Sequence, residues 1–304
     1  MMMPLISKRT FSSNAFLLQK TSNAQQYIRD PVKLIIIPIT TRKSFVYYKH
    51  SPDLIDNSSI FIRYETKISN KVSKIWTNME DSPKGYKKKI VAWVNSLLDQ
   101  TPWSENSLKT VPSESYILKR VQEKEQEKEN KLTLKEYLSK SDELIPKPIH
   151  VYYPNSVISR EHILQEFESL WEVGKSYHKK YTIYSILGIP FTLPLVLVPV
   201  VPNVPGFYLA YRAYCNFKAY CGAKHLQSLV ENENQRLEFI NMKEYSDIIS
   251  TGLKNKPTVT SDEEKMLLDH ALLDRVLDNL EIHELKTDLG KAIRQEEKRL
   301  LGRH

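Results

Sequence analysis

Several residue types are scarce in this 304-residue chain, and each shortage excludes something. With only two cysteines, Cys215 and Cys221, a disulfide framework is excluded and a reducing compartment fits. Only 8 glycines are present, which disfavours folds built on glycine-rich phosphate loops. Gly174-Lys175-Ser176 resembles the end of such a loop, but Ser169 stands where the motif requires its first glycine.

Sets of catalytic or metal-ligating residues are also missing from the sequence. The two cysteines have no histidine at a spacing that zinc would use. The histidines His162, His178 and His225 are isolated, and no Ser/His/Asp or Cys/His set stands out. We therefore predict that the chain is not an enzyme and holds no cofactor or metal.

Acidic residues are absent from the first 29 positions. That stretch is basic and rich in serine, which is the composition of a mitochondrial transit peptide. Its longest apolar run, Ala15 to Leu18, is too short for the core of a secretory signal. We predict a targeting segment over residues 1–25; the alternative is a disordered tail.

Charged side chains are absent from Tyr181 to Tyr211. An apolar span of about 20 residues is enough to cross a bilayer core. Tyrosines cluster at both ends of the stretch, as in the aromatic belts of membrane proteins. The pattern predicts a transmembrane or membrane-inserted segment over residues 181–214, and the alternative is a buried hydrophobic hairpin in a soluble core.

Prolines decide the shape expected for this segment. Each proline inside a helix costs about 3 kcal/mol, so a straight helix is disfavoured and a broken helix or short hairpin is expected, turning at Asn203. Carbonyls freed by the prolines must find partners within protein, because lipid offers none. The residues predicted to form the membrane segment are Pro190, Pro194, Pro199, Pro202, Asn203, Pro205 and Gly206.

Cations flank the segment on both sides, which disagrees with a simple single span under the positive-inside rule. They fit a hairpin whose two ends lie on one side, with both termini in the mitochondrial matrix. The predicted membrane-interface residues are Lys179, Lys180, Tyr181, Tyr208, Tyr211 and Arg212.

The rest of the chain predicts a mostly helical α+β fold. Residues 31–180 form the predicted N-terminal α+β domain, with strands over Val32–Ile39, Ser44–His50 and Ile149–Tyr153. Helical spacing of apolar residues recurs over 68–79 and 86–98, and Ser159 is suited to cap a further helix. The alternating charges of Glu123–Lys131 indicate a solvated helix or linker.

Residues 215–304 form the predicted helical C-terminal region. Thr260 and Glu263 fit a capping box, followed by a helix over Met266–Leu280. A last helix over Leu289–Leu301 has a thin apolar stripe, so it is expected to dock on a partner or to lie exposed.

Two stretches resemble the mitochondrial potassium–proton exchange-related family. They are PFTLPLVLVPVVPNVPGFYLAYRAYCNFKAYCGAKHL, from Pro190 to Leu226, and AIRQEEKRL, from Ala292 to Leu300. The early strand Val32–Ile39, followed by an aromatic strand, is similar as well, so the resemblance extends over roughly residues 31–304. It implies residence in the mitochondrial inner membrane and a part in potassium–proton exchange, but no catalytic residues can be carried over.

These observations favour an inner-membrane accessory or regulator of cation–proton exchange. Its expected partners are inner-membrane lipid and either a protein of a cation-exchange complex or further copies of the chain. The net charge of +8 leaves one alternative, a peripheral matrix protein that binds nucleic acid or ribosomes. The basic residues are dispersed and no aromatic-interleaved nucleic-acid motif is present, so nucleic acid is not expected as a partner.

Overall fold

The computed structural model describes residues 23–302 except 57–61, 64–66, 68–73, 75–76, 79, 83–84, 124–128, 141–143, 195–202, 233–235 and 255–263. The strands are β1 (Val32–Pro38), β2 (Ser44–His50), β3 (Lys119–Glu123), β4 (Glu129–Leu132), β5 (Leu144–Pro146), β6 (Ile149–Tyr153) and β7 (Leu237–Asn241). The helices are α1 (Gly85–Asp99), α2 (Trp103–Thr110), α3 (Leu134–Ser139), α4 (Arg160–Thr192), α5 (Val204–Glu231), α6 (Lys243–Lys254), α7 (His270–Leu280) and α8 (Lys286–Leu301). This is the mostly helical α+β fold that the sequence predicted.

The main sheet has the strand order β2-β1-β6-β7. Strand β1 is antiparallel to β2 and parallel to β6, which in turn is parallel to β7. All seven residues of β1 are buried, as expected for a β-branched strand at the centre of a sheet. The three strands predicted from the sequence are confirmed.

The two faces of the sheet pack against different parts of the chain. Because side chains alternate along a strand, Leu34 and Ile36 of β1 point to one face while Ile35 and Ile37 point to the other. The first face is covered by α2, the N-terminal half of α4 and the C-terminal half of α5. The second face is covered by α6, α7 and α8. The C-terminal region therefore shares its core with the N-terminal strands.

A second, smaller sheet has the strand order β4-β3-β5. It contains both ends of the charged stretch Glu123–Lys131, whose alternating charges predicted a solvated helix or linker. That expectation is wrong for the described ends, which pair antiparallel as β3 and β4. In β4 exposed and half-buried residues alternate, and an alternation of charge suits such a partly solvated strand.

The C-terminal helices differ from the prediction at their start. Helix α7 begins at His270, capped by Asp269, whose carboxylate accepts hydrogen bonds from two backbone N–H groups. Met266 lies before it and forms a β-bridge with Thr40. The predicted capping box at Thr260 and Glu263 lies outside the described residues, as do the targeting segment up to residue 22 and most of the helix expected over 68–79.

Helix α8 docks on its own chain. Its apolar side chains Leu289, Ala292 and Ile293 are fully buried in the core of the second sheet face. The carboxylate of Glu296 is buried too and accepts a hydrogen bond of 2.7 Å from Trp103 Nε1. The expectation that this helix lies exposed is therefore wrong, because a thin apolar stripe and one buried carboxylate suffice to dock it.

Gly222 allows α2 to approach α5. A Cβ atom at this position would lie 2.1 Å from the carbonyl oxygen of Leu108 and 2.9 Å from that of Val111. Both oxygens belong to the backbone at the end of α2, so they cannot move aside as a side chain would. The contact fixes α2 against the base of the hairpin formed by α4 and α5.

Gly222→Ala should therefore lower the free energy of unfolding by about 3 kcal/mol, since the clash outweighs the better helix propensity of alanine. Gly290→Ala is the matched control, because the nearest atom to its added Cβ is 3.6 Å away, on a flexible arginine. The control should be neutral or stabilised by up to about 1 kcal/mol. Urea denaturation measures both, and equal stability of the two variants would contradict the close approach.

Candidate functional site

Two long helices form an antiparallel hairpin that starts on the main sheet. Ser159 caps α4 as predicted, its hydroxyl accepting a hydrogen bond of 3.2 Å from the N–H of His162. The lower half of α4 buries Ile163, Phe167 and Trp171 in the core. Helix α4 has 33 residues and is therefore about 50 Å long. Its upper half, with the start of α5, is the uncharged stretch recognised in the sequence, and we call this part the hairpin tip (residues 181–194 and 203–211).

In the hairpin tip small residues are buried and large apolar residues are exposed, which is the reverse of the usual pattern in a soluble protein. Beyond Tyr181 the buried residues of α4 are Ser185 and Thr192, and before Arg212 the buried residue of α5 is Gly206. The large apolar side chains point outward, with Phe191 86% exposed and Leu187 61% exposed. The other exposed large hydrophobic residues of the tip are Tyr181, Ile183, Tyr184, Ile186, Leu193, Phe207 and Tyr211. More than half of the exposed large hydrophobic residues of the described chain thus lie in this one region.

Small residues bring the two helices together in the tip. Ser185, Gly188 and Thr192 lie at helical spacing on one face of α4. A Cβ at Gly188 would lie 3.0 Å from the side chain of Leu209. Small residues at the contact with apolar residues outside are typical of helix pairs in membranes, where lipid solvates the outer faces.

Polar groups at the end of the tip are satisfied within the chain. Asn203 caps α5, its Oδ1 accepting a hydrogen bond of 2.9 Å from the N–H of Gly206. Its Nδ2 donates across the hairpin to Thr192 Oγ1, 3.2 Å away. Thr192 Oγ1 in turn donates to the carbonyl of Ile189, 2.7 Å away. Asn203 therefore joins the start of α5 to the end of α4, and residues 195–202 between the two helices lie outside the described residues.

Pro194 and Pro205 lie where helices tolerate proline, whereas Pro190 lies inside α4 and removes one of its backbone hydrogen bonds. Pro190 falls in the last turn of α4, Pro194 follows that helix, and Pro205 occupies the first turn of α5, where its missing N–H has no partner to lose. Pro199 and Pro202 lie outside the described residues. The hairpin has longer helical arms than the short re-entrant turn that the prolines suggested.

The predicted transmembrane span is not supported. Among the residues that the structure describes, none of the helices combines the length and the apolar character that a membrane crossing requires.

The predicted interface residues differ in their surroundings. Lys179, Lys180 and Tyr181 are exposed at the lower end of the tip. Tyr208 is half-buried beside Trp93 of α1, with ring centroids 6.5 Å apart, and Tyr211 is 39% exposed.

Arg212 was predicted to lie at the membrane interface, because it ends the uncharged stretch. In the structure its side chain points into the protein. Its guanidinium forms two hydrogen bonds, of 2.6 and 2.7 Å, with the carboxylate of Glu105 in α2. Both side chains are buried, at 10% and 1% exposure. Burial alone would raise the pKa of Glu105, but the hydrogen bonds and charge of Arg212 hold it below its usual value.

His178 and Asn216 complete a buried polar cluster below the tip. Asn216 Nδ2 donates to the carbonyl of Arg212, 2.8 Å away, so its Oδ1 is free to accept from His178 Nδ1, also at 2.8 Å. Burial lowers the pKa of His178, which keeps its ring neutral at physiological pH. The sequence offered no signal for this cluster, because its members come from α2, α4 and α5.

Glu166 lies near the base of the hairpin, where α4 meets the start of β2. Its Oε1 accepts a hydrogen bond of 2.5 Å from the backbone N–H of Ser44. Burial raises the pKa of this carboxyl to about 7, against the opposing effects of Ser44 and Lys43.

Stability should therefore fall as the pH rises from about 5 to 8. The folded state holds the Glu166 proton up to a pKa of about 7, whereas the unfolded chain releases it near 4.5, so deprotonation favours unfolding. Relative to Glu166→Gln, the wild type should lose up to about 3 kcal/mol over this range. Urea denaturation at several pH values measures the difference. Glu168→Gln, an exposed change in the same helix, should leave the profile unaltered; a flat difference for Glu166→Gln would contradict the assignment.

Together these features define an α+β protein with a projecting apolar helical hairpin. Residues 33–230, from β1 to the end of α5, match the model of the family described as mitochondrial K+-H+ exchange-related. The chain belongs to this family, which associates it with mitochondria and with potassium–proton exchange. The match includes the hairpin and ends before β7 and the C-terminal helices.

Two fungal relatives are similar over most of their length. An uncharacterized protein of Saccharomyces cerevisiae is 48% identical over 286 residues, covering 92% of this chain and 89% of the relative. An uncharacterized protein of Schizosaccharomyces pombe is 28% identical over 207 residues, covering 68% of this chain and 79% of the relative. No solved structure matches the chain.

Proposed function

We propose that this chain is an accessory component or regulator of potassium–proton exchange at the mitochondrial inner membrane, attached to the bilayer by its hairpin tip. The observation that carries the proposal is the reversed burial of the tip, with small residues inside and large apolar residues outside. Family membership supports the connection to mitochondria and to the exchange reaction.

The dimensions of the tip suit insertion into one leaflet. From Tyr181 to Thr192, α4 rises about 17 Å, against a hydrocarbon core of about 30 Å. Because α5 returns antiparallel to α4, the bases of both helices lie on one side of the membrane. This arrangement supports both termini lying on one side of the membrane, and the targeting segment predicted over residues 1–25 favours the matrix as that side.

An accessory role fits the residues of the tip better than transport by this chain alone. An antiporter needs ionisable groups at membrane depth, and the stretch from Tyr181 to Tyr211 offers no acid, base or histidine. The charges of Glu105 and Arg212 below the tip already neutralise each other. The chain would therefore act through lipid and a protein partner, or through further copies of itself, in a cation-exchange complex.

Reconstitution of the purified chain into liposomes loaded with a pH dye tests the accessory role. No potassium-dependent proton flux is expected from this single component. Flux that is abolished by changes within Pro190–Pro205 would instead make the chain the exchanger.

Protease treatment of mitoplasts tests the topology. A tag placed directly after the predicted targeting segment and a tag at the C-terminus should both be protected, because both arms of the hairpin return to the matrix side. Cleavage of one tag alone would show that the chain crosses the membrane once.

A further inference from the structure

Helix α1 carries an exposed aromatic stripe beside its buried face. Val91 and Val94 are buried, whereas Tyr86 is 49% exposed and Trp93 is 51% exposed. Tyr86, Lys89 and Trp93 follow one another at helical spacing, so a lysine lies between the two rings.

The position of α1 brings this stripe to the hairpin tip. Its C-terminal end is held by α8, where Lys291 Nζ donates to the carbonyl of Leu98 over 2.7 Å. Further along α1, Trp93 contacts Tyr208 of the tip, next to the 67% exposed Phe207. The turns that carry Lys88 and Lys89 continue from Trp93 away from the anchored end.

The residue types in the stripe are those that proteins place at the surface of a bilayer. Tryptophan and tyrosine rings favour the headgroup level, where one part of the ring is apolar and another is wet. Lysines near that level attract anionic headgroups, at about 1 kcal/mol each. Lys88 and Lys89 are both exposed, and Lys179 and Lys180 add exposed positive charge at the lower end of the tip.

We propose that α1 is an interfacial helix that binds anionic phospholipid beside the inserted hairpin tip. Trp93 lies beside Tyr208 at the level of Gly188, so its ring enters the acyl region below the headgroups, and the long side chains of Lys88 and Lys89 reach back to lipid phosphates. This inference rests on the membrane attachment in the proposed function, and it assigns the attachment a preference for negatively charged lipid.

Tryptophan fluorescence of the full chain with vesicles tests the proposal. Trp103 and Trp171 are buried, so Trp93 is the described tryptophan that vesicles can reach. Vesicles of phosphatidylcholine mixed with phosphatidylserine should shift the emission to the blue, and brominated lipid should quench it. Trp93→Phe should remove most of the shift and the quenching.

The contribution of the two lysines to binding is tested by titrating the full chain with the same vesicles and measuring the affinity. Lys88→Gln with Lys89→Gln should weaken binding by about 5-fold per lysine at low salt, and the difference should shrink at high salt. Lys135→Gln with Lys140→Gln makes the same charge change on exposed positions of α3 and its C-terminus and should leave the affinity unchanged.

The outcomes separate this inference from the proposed function. Unquenched Trp93, together with binding that ignores both lysines, would overturn the role of α1 while leaving the hairpin tip as the attachment. Failure of the wild-type chain to bind vesicles, whether of phosphatidylcholine alone or mixed with phosphatidylserine, would overturn the membrane attachment itself and favour a protein surface as the occupant of the tip.

Discussion

Glu105→Gln should lower the free energy of unfolding by about 3–5 kcal/mol, among the largest effects of any single substitution in this chain. The change leaves Arg212 in the interior without the carboxylate that accepts both of its hydrogen bonds. Since Glu105 belongs to α2 and Arg212 to α5, the pair also fixes the hairpin against the rest of the fold. Urea denaturation at neutral pH measures the loss.

Two controls distinguish the effect of breaking this buried ion pair from the effect of breaking an exposed one. Glu105→Leu combined with Arg212→Met removes both charges and should recover much of the lost stability. Asp274→Asn breaks the ion pair between Asp274 and Lys286, which are 63% and 64% exposed, and should leave the stability nearly unchanged because solvent screens the pair. A double variant no more stable than Glu105→Gln would contradict this assignment of the energy to an uncompensated charge.

Leu187→Glu combined with Phe191→Glu should detach the chain from membranes. Both side chains are largely exposed in the tip, so the folded state should keep its stability, while each charge opposes insertion by about 3 kcal/mol. Vesicle affinity should fall by at least about 100-fold. In mitochondria the variant should appear in the supernatant after alkaline extraction, whereas the wild type should remain with the membrane.

Val173→Glu is the matched control for this change. Val173 lies on the same helix and is 66% exposed, but it precedes the hairpin tip. It should therefore keep wild-type attachment. Equal loss of binding in both variants would point to a general effect of negative charge on α4, and unchanged binding of the tip variant would remove the tip from the attachment.

Local patterns explain which parts of the fold could be predicted. Strands β1 and β2 are adjacent in sequence. In the β-branched run Val32–Ile39 the apolar residues do not recur at the three- to four-residue spacing of a helix, so the pattern indicates a strand. Strand β7 was not predicted from the sequence. Its five residues pair in parallel with β6, which is distant in the chain, and none of them is fully buried. Pairing at such a distance leaves no local signature.

The candidate site was predictable in position but not in detail. The absence of charge between Tyr181 and Tyr211 and the cluster of prolines located the hairpin from sequence alone. Which side chains face outward depends on how α4 meets α5, through small residues such as Ser185 and Gly206 that carry little hydrophobic signal. The burial of Arg212 depends on Glu105, whose position in α2 no nearby pattern reveals.

Potassium-dependent proton flux across the inner membrane of mitochondria is the most direct test of the central claim. The measurement compares mitochondria that lack this chain with those supplied with the wild type, Val173→Glu, or Leu187→Glu combined with Phe191→Glu. Flux should be weakened without the chain, restored by the wild type and Val173→Glu, and left weak by the tip variant. Full flux in mitochondria that lack the chain would contradict a role in exchange, and full restoration by the tip variant would contradict attachment through the hairpin.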